Sequence, residues 1–159
     1  MIRKFLVPLD GSSVGEAALK HVAELMPKLT SAQVKYQVTL LQVITSLTHY
    51  VVAGEATAQV PYTEKEIEYI KKKSREYLNK AGEGLRNMGA TVKTKVATGK
   101  AAEEILKVAD EIKAELIAMS THGRTGLSRL TFGSVTDKVL REANVPVLVV
   151  RAPKDTENT

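Results

Sequence analysis

Residues 115–150 read ELIAMSTHGRTGLSRLTFGSVTDKVLREANVPVLVV. Two short apolar runs, Glu115 to Ser120 and Val145 to Val150, bracket a stretch that turns amphipathic from about Ser134 to Ala143, with Val135, Val139 and Leu140 at helical spacing. Runs this continuous in apolar character fit strands covered on both faces. One helix between two such strands is a crossover unit. Its strands must be parallel and its hand right-handed. This unit predicts an α/β fold.

The rest of the chain repeats the alternation. Ile2 to Pro8 is a first strand. Residues 13–29 set Val14, Ala17, Ala18, Val22, Leu25, Met26 and Leu29 on one helical face, with Ser12 or Ser13 placed to cap it. Tyr36 to Ile44 is a second strand. Thr45 to Thr63 shows no clear period, so it reads as a long loop of the kind that serves as a lid or an interface. Residues 63–88 read as one charged helix, opened by a capping box from Thr63 and Glu66 and closed at Gly89. Thr91 to Ala97 is a third strand, with Val92, Thr94 and Val96 on one face. Ala101, Ala102, Ile105, Leu106, Ala109 and Ile112 form a further helical face after Gly99. The order βαβαβαβαβ predicts an open parallel sheet with helices on both faces. Residues 1–152 read as one domain and 153–159 as a polar tail.

Bulk properties narrow the function. The 159 residues include no Cys, which excludes disulfides and thiolate chemistry. The apolar run after Met1 is too short for a signal segment, and a soluble cytoplasmic protein is expected. A formal charge of +5 suits an anionic partner. The densest basic cluster, however, is Lys71, Lys72, Lys73 and Arg75, which lies beside Glu64, Glu66, Glu68 and Glu76. Together with only 4% aromatic residues, this favours a solvated helix face over a nucleic-acid surface.

Ligands of open α/β sheets bind beyond the carboxyl ends of the strands, where the strand order reverses. Three segments occupy such positions: Pro8-Leu9-Asp10-Gly11-Ser12-Ser13, the end of the second strand at Val43-Ile44, and Met119 to Gly126. Nine residues then separate Gly123 from Gly133-Ser134. A glycine at a helix start exposes N–H groups and positive partial charge to an anion. Spacing alone leaves a second reading, in which Ser134 and Asp137 form a capping box and Gly123 and Gly126 only make a turn.

Ser120-Thr121-His122-Gly123, nine residues and Gly133-Ser134 resemble the universal stress protein nucleotide signature, G-x-x-G-x9-G-[ST]. FLVPLDGS near the start is similar to that family as well. The resemblance spans essentially the whole chain. It implies a Rossmann-like fold of the adenine nucleotide alpha hydrolase type, a five-stranded parallel sheet of order 3-2-1-4-5, and a homodimer joined through the strand Val145 to Val150. It also implies a site for ATP (or ADP or AMP), with Mg2+ accompanying the phosphates. Asp10 would lie beside the adenine and the Val43 main chain at the base edge, with Pro8 and Leu9 lining the pocket. Met119 and Ser120 would lie by the sugar. Gly123, Gly133, Ser134, Val135 and Thr136 would cradle the phosphates, with His122 and Arg124 in the same loop. Ser120 stands where the signature has its first glycine. It either crowds the ribose, if that position needs positive φ, or hydrogen-bonds to it.

Other motifs are weaker. Gly11-Ser12-Ser13-Val14-Gly15 matches the nucleophile elbow G-x-S-x-G, but it follows the first strand, where no earlier loop can complete an oxyanion hole. Gly82-Glu83-Gly84 begins a dinucleotide fingerprint that fails at Asn87, and no G-x4-G-K-[ST] occurs. The expected function is a nucleotide-responsive regulatory module in stress response, read by an unidentified protein partner and independent of membranes. The competing expectations are a slow or partner-dependent ATPase and a structural dimer that binds no nucleotide.

Overall fold

The computed structural model describes residues 1–29, 33–121 and 132–152. The elements run β1 (Ile2–Pro8), α1 (Glu16–Lys28), β2 (Lys35–Ile44), β3 (Thr48–Ala53), β4 (Ala56–Pro61), α2 (Glu64–Ala81), α3 (Glu83–Asn87), β5 (Thr91–Thr98), α4 (Ala101–Ile112), β6 (Leu116–Thr121), α5 (Ser134–Glu142) and β7 (Val147–Arg151). The main sheet has the order β5-β2-β1-β6-β7, and every pairing in it is parallel. Counted along these five strands, that is 3-2-1-4-5, as the resemblance implies.

Winding proceeds outward from β1 to β5, then returns across β1 to β6 and β7. Right-handed crossovers therefore place helices on opposite faces in the two halves. Alternation along each strand feeds both layers. Phe5, Val7, Val38 and Leu40 pack with Val22 and Met26 of α1, Leu78 of α2 and Leu85 of α3. Leu6, Leu41, Ile117 and Met119 face Ile105 and Val108 of α4 and Val139 of α5. Burial on both faces explains why these strands read as unbroken apolar runs.

Three local expectations change. Residues 45–63 hold an antiparallel hairpin rather than a bare loop: β3 and β4 pair from Thr48–Pro61 to Ala53–Ala56. Gly54, at φ +63, begins the two-residue turn, the place a type II′ turn gives to glycine. The helix expected over residues 63–88 is two helices that meet at Gly82, where a Cβ would come within 2.7 Å of Val92. Its start is as expected, with Thr63 and Glu66 forming a reciprocal capping box. Gly89 closes it at φ +89, where Gly89 N–H donates to Arg86 O and Ala90 N–H to Leu85 O, the paired bonds of a Schellman motif. Helix α1 starts at Glu16 with Gly15 as N-cap and no side-chain cap. Ser12 instead receives the Gly15 N–H one turn earlier.

Candidate functional site

The crevice lies where the winding reverses. β1 and β6 are in register only at Phe5–Leu116 and Leu6–Ile117, while β6 continues to Thr121 alongside β7. Beyond Ile117 the ladder between β1 and β6 stops, which opens the carboxyl edge of the sheet.

One wall is the loop after β1. Half-buried Pro8 ends the strand, and buried Leu9 donates its N–H to Leu41 O at 2.7 Å. Asp10 is exposed, and its Oδ1 accepts from Ser12 N–H at 2.9 Å and from the Ser12 hydroxyl at 2.5 Å. Gly11 takes φ +87, which turns the chain, and a Cβ on Gly15 would meet Asp10 Oδ1 at 2.6 Å. The two glycines of the apparent nucleophile elbow therefore shape this loop. Tyr77 of α2 braces it by donating to Glu16 Oε1 at 2.9 Å. Burial first, and then that carboxylate, push the phenol well above its ordinary range, so Tyr77 remains a donor.

The floor is the end of β2. Its register with β1 ends at Pro8–Leu41, but the strand runs on to Ile44. Leu41 O accepts from Leu9 on the β1 side, and Ile44 O accepts from Gly99 on the β5 side. Successive residues of a strand point their main-chain groups to alternate sides. The N–H and C=O of Val43 consequently face the β1 side, past the point where β1 ends. The Val43 side chain is half-buried beside the α4–α5 layer.

The opposite wall is the start of α5. Gly133 is its N-cap at φ 89, ψ 154, with no side-chain cap. The capping box considered for Ser134 and Asp137 is therefore not formed; Asp137 N–H bonds to Gly133 O instead. Ser134 and Val135 are exposed, Thr136 is buried, and the first-turn N–H groups of all three have no partner among the described residues. A Cβ added to Gly133 would meet nothing within 4 Å, so its glycine serves backbone conformation and leaves open space in front. Thr121 fixes this helix start. Its buried hydroxyl donates to Phe132 O at 2.8 Å, and its carbonyl accepts from Ala152 N–H.

The remaining site residues divide. Met119 is buried in the α4–α5 layer, so its side chain belongs to the core. The Ser120 hydroxyl donates to Gly15 O at 2.8 Å and accepts from Ala18 N–H at 2.7 Å. It spends both roles tying β6 to the start of α1. Ser120 is also free of positive φ, so this position does not demand glycine. His122, Gly123 and Arg124 lie outside the described residues.

Thr121, Gly15 and the Tyr77–Glu16 brace were missed by sequence reasoning. Only the second glycine of the elbow-like motif signalled any of them. Among the described residues no group of three His, Asp or Glu is placed to hold a metal ion, and no helix is long and apolar enough to cross a membrane. Lys71 and Lys73 pair with Glu68 and Glu76, in line with a solvated helix face.

The sequence model described as the universal stress protein family matches residues 1–151. The chain belongs to the universal stress protein family. Within that family it is 31% identical over 154 residues to universal stress protein MJ0531 of Methanocaldococcus jannaschii, covering 97% of this chain and 85% of that one. It is 34% identical over 166 residues to MJ0577 of the same organism, covering 95% and 96% of the two chains. The solved structure of MJ0577 superposes with a TM-score of 0.69 at 28% identity, covering 96% of this chain and 97% of that one. The universal stress protein of Archaeoglobus fulgidus in complex with dAMP shares the fold at a TM-score of 0.56 and 21% identity, covering 94% and 97%.

Proposed function

We propose that this universal stress protein is an adenine-nucleotide-binding module that takes ATP in the crevice between β1 and β6. The uncapped start of α5 carries the reading. Three N–H groups without a partner among the described residues, behind a positive-φ glycine, form a cradle for negative charge. The Val43 main chain, open beyond the end of β1, offers one acceptor and one donor to the Watson–Crick edge of a base. Asp10 keeps its second carboxylate oxygen for the same ligand. Met119 and Ser120 line the sugar by their main chains, and Gly123, with His122 and Arg124, completes the phosphate loop. The dAMP complex of the Archaeoglobus fulgidus protein supports an adenylate in this fold. Mg2+ would arrive on the phosphates, since no carboxylate cluster among the described residues awaits it. Occupancy would be sensed by a second protein, with the module itself a homodimer in the cytoplasm.

Equilibrium dialysis with labelled ATP tests this. The native protein is expected to bind ATP, and Gly133→Ala to bind at least about tenfold more weakly, because a side chain at φ 89, ψ 154, a region kept almost wholly to glycine, costs roughly 1–3 kcal/mol and moves the cradle. Absence of binding by the native protein at millimolar ATP would sink the reading.

A further inference from the structure

The end of β2 carries a second group that no other described residue uses. Gln42 lies between Leu41, which binds the loop after β1, and Val43, whose main chain faces the crevice. Its side chain alternates onto the α1–α2 face with Leu40 and reaches the loop after β1. A Cβ on Gly11 would stand 3.6 Å from Gln42 Nε2. The Gln42 Oε1 is buried without a hydrogen-bond partner, and among the described residues Nε2 has none either. A buried amide oxygen left unsatisfied is costly, and most such groups in folded proteins are paired. This one belongs to a half-buried residue that reaches Gly11, the neighbour of Asp10 in the chain, and directly precedes Val43.

A free primary amide offers an acceptor and a donor side by side. The Hoogsteen edge of adenine offers the complement, one hydrogen of the 6-amine and the lone pair of N7, and Gln is a standard partner for that edge. The Watson–Crick edge, with N1 and the other amine hydrogen, remains for the Val43 main chain. The two readers therefore do not compete. We infer that Gln42 is a specificity-determining residue of the nucleotide site, whose side-chain amide reads N6 and N7 of a 6-aminopurine. The inference rests on the nucleotide reading above. It adds a side-chain contact that selects for the imidazole half of the base as well as its pyrimidine edge.

The probe is 7-deaza-ATP, which keeps the 6-amine and N1 but replaces N7 by carbon. Affinities for ATP and 7-deaza-ATP are measured for the native protein, Gln42→Leu and Gln42→Met, with a thermal melt of each to verify folding. The native protein is expected to prefer ATP by roughly tenfold, the loss of one arm of a bidentate contact. Both variants should bind the two nucleotides within about twofold of one another, with ATP weakened toward the native value for 7-deaza-ATP. A general loosening of the fold would weaken both nucleotides together and keep their ratio, and that result overturns the inference. Equal binding of the two nucleotides by the native protein also overturns it while leaving the ATP site standing. Binding of neither overturns both. If Gln42→Leu does not fold, Gln42→Met, close in volume, decides by the same ratio.

Discussion

Ser120 shows how a single hydroxyl can look like ligand chemistry and be architecture. Its bonds to Gly15 O and Ala18 N–H join the end of β6 to the first turn of α1. Converting it to the signature residue, Ser120→Gly, should therefore destabilise the fold, by about 1–3 kcal/mol for the part-buried N–H and C=O left without their partner. Urea unfolding monitored by circular dichroism measures this; an unchanged or higher midpoint would refute the tie. The signature was legible as a string because glycine spacing is a property of sequence. Its first position was ambiguous because the direction of a side chain depends on which helix packs beside the strand. Asp10 and Val43 were placed correctly at strand ends by topology alone. Gln42 escaped notice because a glutamine in an apolar strand carries no pattern; only its missing partners mark it.

At the scale of elements, the parallel strands and the helices α1, α4 and α5 were readable because their apolar faces repeat at the period of the structure they form. The hairpin β3–β4 was not. Residues 51–61 are exposed on both faces, so no alternation of apolar and polar residues records which side is inward. The need for glycine at the α2–α3 junction was hidden for a related reason: Gly82 packs against Val92 and Leu40, which lie far off in the chain on two strands. The capping box at the start of α2 was visible, since its partners are three residues apart. It also makes the helix sensitive to acid. The Glu66 carboxyl lies below its ordinary value of 4.5, chiefly through the bond from Thr63 N–H and then through the Thr63 side chain. A carboxyl depressed in the folded state contributes stability above its unfolded value and loses it as pH falls through the folded one. Relative to Glu66→Gln, the native protein should therefore be more stable at pH 6, and the gap should shrink as pH drops below 4.5. Paired thermal melts from pH 6 to pH 3 measure the gap; a constant difference would contradict a charged cap.

Across the whole molecule, the reversal of winding at β1 and β6 puts the crevice mid-sheet and leaves two edges that differ in character. Among the described residues β5 pairs only with β2, and it carries Lys93 and Lys95, with Lys95 bonded to Glu111 of α4. Lysines along an edge discourage another strand from adding to it. Among the described residues β7 pairs only with β6, and it offers Val147, Leu148 and Val149, all half-buried, with no charge before Arg151. α5 packs on β7 and leaves two further apolar side chains exposed, Val135 and Leu140. Such an edge is a hazard unless covered, and a twofold pairing with a second copy covers it on both chains at once. The protein should therefore sediment as a dimer at micromolar concentration, and Val149→Lys, which places an ammonium group on the apolar edge, should shift it to monomer. Both species should keep the native circular dichroism spectrum, because the core layers on either side of β1 and β2 are complete within one chain. A native monomer at tens of micromolar, or a Val149→Lys protein that remains dimeric, would assign the β7 edge to some other partner.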